Sequence, residues 1–138
     1  MNNLEWSPKM SVGSDEIDNQ HKILFSLYNN LLVVRSSGVA NKVFGLSDDV
    51  LQGLIEYVDI HFKYEEQLME QINYPDIESH KIQHKIYVNR IHEAQLALDK
   101  NYCDNEWNAL CCFLSDWLVG HVMGIDQLYT PYIVTSKT

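Results

Sequence analysis

Residues 51–72, which read LQGLIEYVDIHFKYEEQLMEQI, decide the fold of this chain. The inward positions of this stretch alternate spacings of three and four, which puts them on one face of an α-helix. They are Leu51, Leu54, Val58, His61, Glu65, Leu68 and Ile72. This is the pattern of a helix in a bundle, and proline in the following Asn73-Tyr74-Pro75 predicts that it ends there.

Three further stretches have the same periodicity, one before residues 51–72 and two after them, so residues 51–72 form the second of four. The first runs from Asp15 to the break at Ser36-Ser37-Gly38, where glycine suits a helix C-terminus. The third follows Asp76, a candidate N-cap, and ends near Asn101, and the fourth runs from about Asn105. Their inward positions are Ile17, His21, Leu24, Tyr28, Leu31 and Arg35; His80, His84, Tyr87, Ile91, Ala94 and Leu98; and Trp107, Leu110, Leu114, Leu118 and His121.

Four helices joined by short connections predict an all-α fold, an antiparallel up-down-up-down four-helix bundle. We expect a single domain over residues 1–138, since 138 residues is the usual size of one. Within it we predict an N-terminal arm at 1–14 that holds Trp6, a bundle at about 15–126, and a short C-terminal tail at 127–138.

Composition and charge exclude several function classes. The formal net charge of -9 argues against binding nucleic acid or an anionic membrane, because both are polyanions. No apolar run approaches the roughly 20 residues that span a bilayer, and no secretory signal is apparent. The three cysteines, Cys103, Cys111 and Cys112, do not suggest a disulfide framework. We therefore expect a cytoplasmic protein.

Ionisable side chains interrupt each of the four apolar faces. His21, His61, Glu65, His80, His84 and His121 occupy positions that would ordinarily hold leucine. Such groups are costly to bury unless they are paired or bound to a metal. One core histidine would be unremarkable, but here each helix brings at least one, and five of the six histidines lie on these faces. The coincidence predicts a metal site in the core.

The spacing of these residues sharpens the prediction. His61 with Glu65, and His80 with His84, are i, i+4 pairs that point the same way, one helical turn apart. Asp126 lies five residues after His121, so on an ideal helix it would not share that face. We infer that the helix loosens near Gly124 and turns Asp126 inward; the alternative is an exposed acid at a helix end. Five imidazoles and two carboxylates exceed the needs of one ion and suggest two.

Several other features have ordinary explanations. His92 has no partner at ligand spacing and is expected on the surface. Glu66 points about 100° away from Glu65 and is expected to be solvated. Tyr28, Tyr64 and Tyr87 are expected to pack in the bundle with satisfied hydroxyls. The Glu-x-x-His signature of carboxylate-rich di-iron oxygenases is absent from the sequence, which argues against such an enzyme.

The whole pattern resembles the hemerythrin family, most closely its single-domain bacterial members. The resemblance rests on a first-helix histidine followed by H-x-x-x-E, H-x-x-x-H and H-x-x-x-x-D, seven ligands in order. The flanks also agree, at Trp6, Val12-Gly13, Ile17-Asp18-Asn19-Gln20-His21-Lys22, Tyr74-Pro75 and Trp117-Leu118. The resemblance spans Trp6 to Tyr129.

The resemblance implies a role for each of these positions. His80, His84 and His121 would hold one iron, His21 and His61 the other, and Glu65 and Asp126 would bridge both together with an oxo or hydroxo group. Dioxygen would bind reversibly at an open position on the two-histidine iron. Leu24, Phe62, Leu118 and Val122 would form the wall of a dry ligand pocket, although each also suits an ordinary core.

Three functions remain open at this stage. The first is an oxygen-binding module, that is a carrier, store or supplier to an oxygen-consuming enzyme, monomeric and without turnover. The second is a sensor of dioxygen, nitric oxide or redox state, which the lack of a fused signalling module disfavours. The third is peroxide or nitric oxide handling or iron buffering, which an imidazole-rich site does not favour. Iron itself is implied only by the resemblance, since imidazole also suits zinc, copper and nickel.

Overall fold

A computed structural model describes residues 3–36, 44–100 and 104–137. Its long helices are α1 (Asp15–Ser36), α2 (Phe44–Gln71), α3 (Ile77–Lys100) and α4 (Asp104–Gly120), and these described ranges contain no strand. Each helix contacts the next along the chain, and α4 packs back against α1. This closed ring of neighbours is the up-down-up-down four-helix bundle, so the predicted fold is confirmed.

Local chemistry at the helix ends agrees with these bounds. Three acidic residues in the first turn of α1, at 15, 16 and 18, complement the positive end of the helix dipole. After α2, Asn73 adopts a left-handed conformation with φ 54°, and the Tyr74 amide donates to the Met69 carbonyl. Pro75 follows, and α3 begins directly after Asp76. The predicted glycine stop at Gly38 lies outside the described residues.

Two apolar clusters fill the bundle, and we call them the main core and the end core. The main core includes Leu24, Leu54, Tyr87, Leu114 and Leu118 along most of the bundle length. The end core is made of Val12, Ile17, Met69, Tyr74, Tyr129 and Ile133. On every helix the predicted ligands fall between a residue of one core and a residue of the other. The polar cluster is therefore sealed by apolar packing on both sides.

The last helix changes its hydrogen bonding where it passes the polar cluster. A π-helical turn spans His121–Ile125, a 3₁₀ turn spans Asp126–Tyr129, and α5 covers Thr130–Lys137. The Asp126 amide donates to the His121 carbonyl, an i→i+5 bond that widens the turn. The wider turn carries Asp126 onto the face of His121. Residues expected to form a tail are helical here, and Tyr129 and Ile133 are buried.

The N-terminal arm lies against the bundle. The Leu4 amide donates to the side chain of Asn29 at 2.8 Å, and the Asn29 amide group donates back to the Leu4 carbonyl at 2.9 Å. The Lys22 ammonium lies 4.4 Å from the centre of the Trp6 ring. The Gln127 side chain donates to the Met10 carbonyl at 3.0 Å. These contacts tie the arm to α1 and to the segment that carries Asp126.

One helical segment, Asp104–Ile133, is long and apolar enough to cross a membrane by length and composition, with a mean hydropathy of 1.3. Its apolar side chains Trp107, Leu110, Leu114 and Leu118 are buried in the bundle. The same segment carries the buried polar groups of His121 and Asp126. These features are those of a core helix of the bundle.

Candidate metal centre

The structure brings all seven predicted ligand side chains together. Helices α1, α2 and α3 and the turns that follow α4 each supply at least one, and each residue is at most 4% exposed. Their donor atoms form two groups, within each of which the atoms lie within 4.8 Å of one another. The three-histidine group contains His80, His84, His121, Glu65 and Asp126, and the two-histidine group contains His21, His61, Glu65 and Asp126.

Both carboxylates divide their oxygens between the two groups. Oε1 of Glu65 lies 2.9 Å from Nε2 of His84, whereas its Oε2 lies 3.5 Å from Nε2 of His61. Oδ1 of Asp126 lies 2.7 Å from Nε2 of His121, whereas its Oδ2 lies 3.0 Å from Nε2 of His21. Each carboxylate therefore presents one oxygen to each group, which is the arrangement that bridging two cations requires.

The donor atoms converge as metal ligands do. Nε2 of His121 lies 3.2 Å from Nε2 of both His80 and His84. Nε2 of His21 and both oxygens of Asp126 are buried without a hydrogen bond, despite their close approach. Close, buried and misaligned donors are expected where lone pairs point to a shared third point, and leaving them unpaired is costly. The residues present therefore fit metal ions, and the cluster can hold metal.

Two ligands are held in orientation by hydrogen bonds on their outer sides. Nδ1 of His61 donates to Oε1 of Gln20 at 2.6 Å, and Nδ1 of His84 donates to Oε2 of Glu66 at 2.7 Å. Because the proton is then on Nδ1, each ring turns the lone pair of Nε2 toward the cluster. Glu66, which was expected to be solvated, is 27% exposed, and its pairing with His84 was not expected from the sequence.

Aromatic rings enclose the three-histidine group. The Phe62 ring stacks on His84 at a centroid distance of 3.7 Å and an interplanar angle of 3°. Trp117 stacks on His121 at 4.2 Å, and Tyr87 stacks on Trp117 at 3.7 Å. The Tyr87 hydroxyl is buried and has no hydrogen-bond partner within the part of the chain described, so the expectation that it is satisfied was wrong. His92 is exposed, as expected.

Burial and neighbouring charges shift the pKa values of the cluster in opposite directions. Burial acts to lower the pKa of His21, but attraction to Asp126 and Glu65 outweighs it and raises the pKa to about 9. The same balance raises the pKa of His80 to about 9. Burial dominates at His61 and lowers its pKa to about 4. His61 is therefore neutral, as a metal ligand must be. His21 and His80 would lose their protons when a metal cation binds.

The two carboxylates remain ionised. Burial and the neighbouring Glu65 act to raise the pKa of Asp126, but the histidines around it outweigh them and hold it well below its usual range. Burial likewise opposes ionisation of Glu65, whose pKa is lowered by His121, His21, His61 and His80. Two ionised carboxylates among imidazole nitrogens are donor groups suited to binding cations.

The four predicted pocket residues all lie in the main core, at 4% exposure or less: Leu24, Phe62, Leu118 and Val122. Phe62 is close to ligands of both groups, 5.8 Å from His61 and 3.7 Å from His84 between ring centroids. These positions are compatible with a dry wall beside the cluster and equally with ordinary packing.

The sequence did not identify three residues that contact the ligands. Gln20, Glu66 and Tyr129 each hydrogen bond to a predicted ligand. The first two are adjacent in sequence to His21 and Glu65, and Gln20 also lies in the flank that resembles the hemerythrin family. Tyr129 lay in the expected tail, and only the register of the π turn turns it inward.

The bundle and its buried cluster define a class, the metal-binding four-helix bundles that carry histidine and carboxylate ligands on facing helices. The hemerythrin HHE cation binding domain matches residues 12–133. The chain therefore belongs to the hemerythrin family.

Individual relatives agree with this assignment. The chain is 32% identical over 130 residues to a bacteriohemerythrin of Stenotrophomonas maltophilia, covering 94% of this chain and 81% of the relative. It is 36% identical over 126 residues to a hemerythrin-like protein of Naegleria gruberi, covering 91% and 90%. A crystal structure of wild-type hemerythrin superimposes with a TM-score of 0.80 at 29% identity, covering 93% of this chain and 95% of that one. The recognition made from the sequence is confirmed.

Proposed function

We propose that the seven side chains hold two iron ions and that this centre binds dioxygen reversibly, without turnover. The observation that carries the proposal is the division of the oxygens of Glu65 and Asp126 between the two histidine groups. In this proposal His80, His84 and His121 hold one ion, His21 and His61 hold the other, and the two carboxylates bridge them. When bound, a pair of ferrous ions supplies the two electrons needed to hold dioxygen.

The unequal donor count supports a binding position on one side of the centre. The three-histidine group offers five donor residues, whereas the two-histidine group offers four. An ion with fewer protein ligands keeps room for an external one, by the reasoning applied to open metal sites. Dioxygen would therefore bind on the side of His21 and His61.

The surrounding side chains suit a binder more than an enzyme. Leu24, Leu118 and Val122 are buried and offer no acid or base, and Phe62 closes the wall toward His84. Such a lining excludes water, which would promote irreversible oxidation. These four side chains supply no proton donor for reduction of a bound ligand.

The test is an anaerobic iron count followed by visible spectra through cycles of air and dioxygen removal. We expect two irons per chain and a colour that appears with dioxygen and disappears without it. Two irons with one-way conversion to a ferric spectrum would replace reversible binding by redox or peroxide chemistry. Fewer than two irons would overturn the dinuclear centre.

We further propose a cytoplasmic monomer that carries, stores or delivers dioxygen, with an oxygen-consuming enzyme as the recipient. The net charge of -9 supports a chain that stays dispersed and does not bind nucleic acid. Light scattering on the iron-loaded protein tests the monomer, and a mass of twice the chain or more would contradict it.

A further inference from the structure

The buried centre needs a route for iron, and the surface approaches it on the side of the three-histidine group. Three surface depressions each touch a different member of that group. His84 borders a groove of about 210 Å³, His121 borders a depression beside Trp117, and His80 borders one beside Tyr74. Since the donor residues themselves are at most 4% exposed, an ion must pass a neighbouring side chain before it reaches them.

The groove at His84 differs from the other two: it contains Lys63, which pairs with Asp59, and Lys85, and it contains an acid that contacts a predicted ligand. Its wall contains Glu66, whose side chain is 27% exposed while its Oε2 lies 2.7 Å from Nδ1 of His84. The other depressions contain the carboxylates of Asp116 and Asp76, which have no hydrogen bond or ion pair to a ligand histidine in the described ranges. Glu66 alone among these three acids contacts both solvent and a predicted ligand.

We propose that Glu66 is the entry ligand for iron, which takes up a ferrous ion from solvent and passes it to the three-histidine group. This inference rests on the proposed di-iron centre. A carboxylate is a suitable first ligand because hard cations such as hydrated divalent ions prefer oxygen. The Glu66 carboxylate is also the acceptor that keeps the His84 ring in place.

The two roles of Glu66 use the same carboxylate, and this couples capture to opening. An ion bound to the carboxylate withdraws charge from Oε2 and weakens its hydrogen bond with Nδ1 of His84, so the ring is held more by its stack on Phe62. A ring in a parallel stack can slide along its neighbour without losing apolar contact. The His84 imidazole lines the groove and also belongs to the cluster, so sliding of the ring opens a path between them. Its return restores the hydrogen bond to Glu66.

Two substitutions separate an entry ligand from a residue that only orients His84. Glu66→Gln keeps an oxygen that accepts the Nδ1–H hydrogen bond but loses the charge that attracts a cation. Glu66→Ala loses both. Asp59→Asn is the matched control. It removes the same charge from the same groove, but Asp59 pairs with Lys63 at 2.9 Å rather than with a ligand.

The experiment uses the anaerobic, iron-loaded full chain and a coloured ferrous chelator. It measures the rate of iron release, the rate of reloading with Fe²⁺ after removal, and the dissociation constant from overnight competition. Because entry and exit share one route, Glu66→Gln should slow release and reloading about tenfold and leave the dissociation constant unchanged. Glu66→Ala should also slow reloading, but it should weaken binding as well, because it removes the acceptor that orients His84. Asp59→Asn should behave as the parent protein.

An orienting role gives a different pattern and would overturn the proposal. In that case Glu66→Ala would weaken iron binding by about 10–100-fold through faster release, while Glu66→Gln would resemble the parent protein. Unchanged rates in both variants would also overturn it. Failure of the proposed function is distinguishable, because it would appear as fewer than two irons in the parent protein. The same uptake rates can then be measured with Zn²⁺ and a zinc-sensitive dye.

Discussion

The hydroxyl of Tyr129 donates a hydrogen bond of 2.9 Å to Oε2 of Glu65, and both side chains are completely buried. Glu65 belongs to α2, whereas Tyr129 follows the π turn, so this bond ties the C-terminal helix to the carboxylate shared by both histidine groups. Burial, reinforced by the negative charge of Glu65 and Asp126, raises the pKa of Tyr129 well above its usual value. The phenol therefore stays protonated and remains a donor.

We predict that Tyr129→Phe lowers the free energy of unfolding of the iron-free protein by about 1–3 kcal/mol, because a buried charged acceptor loses its donor. The measurement is urea unfolding followed by circular dichroism. The control is Tyr74→Phe, a tyrosine packed in the same end core whose hydroxyl makes no hydrogen bond to another described residue. Equal losses in the two variants would refute a specific contribution of the bond to Glu65.

Removal of a shared carboxylate should damage the centre more than removal of any pocket residue. We predict that Glu65→Ala and Asp126→Ala each give fewer than two irons per chain, because each carboxylate presents an oxygen to both groups. Iron is counted by colorimetric assay on anaerobically loaded protein. Glu70→Ala, which removes a 62% exposed acid from the same helix, should keep two. Two intact irons in either carboxylate variant would contradict the bridging roles.

Most of the fold and six of the seven clustered side chains could be predicted because both depend on helical periodicity, from which Asp126 departs. A spacing of three and four fixes which residues face inward, and histidines on four such faces must meet. The contacts of Gln20 and Glu66 could not be predicted in this way. Their side chains reach across to neighbouring helices, and their partners depend on how the helices pack. Periodicity places a side chain on a face but does not fix its rotamer or its partner.

The inward position of Asp126 was expected correctly from the sequence, but Gly124 is not its physical cause. The sequence indicated that the helix loosens near Gly124, and the structure has a π turn there. Yet Gly124 does not adopt a left-handed conformation, and a Cβ at this position would meet no atom within 4 Å. The π turn therefore does not require glycine. The contacts that Asp126 makes with His121 and His21 explain the π turn better.

This explanation predicts that Gly124→Ala is tolerated. Alanine has the higher helix propensity, so we expect the free energy of unfolding to stay the same or rise by up to about 1 kcal/mol. The iron content should stay at two per chain. Gly13→Ala is the contrasting variant, because Gly13 has φ +88°, a conformation that alanine adopts only with strain. Loss of iron in Gly124→Ala would show that the π turn depends on glycine.

The apolar wall gives the last prediction, which concerns Leu118. This side chain is 1% exposed and lies one helical turn before His121, in the main core. Leu118→Asn places a polar amide of similar size beside the centre without removing a ligand, so the iron content should stay at two. The amide should admit water and speed conversion of the oxygenated protein to the ferric form by about tenfold, equivalent to about 1.4 kcal/mol of barrier.

The matched control for Leu118→Asn is Leu114→Asn. Leu114 is equally buried in the main core but lies a further turn away from His121. Both changes bury an amide and should cost similar stability, so the rate of ferric conversion at a temperature well below unfolding isolates the effect at the centre. A faster rate in Leu118→Asn alone supports a dry pocket bounded by Leu118. Equal rates in the two variants would assign the effect to general loosening of the bundle, and an unchanged rate would leave Leu118 as ordinary core.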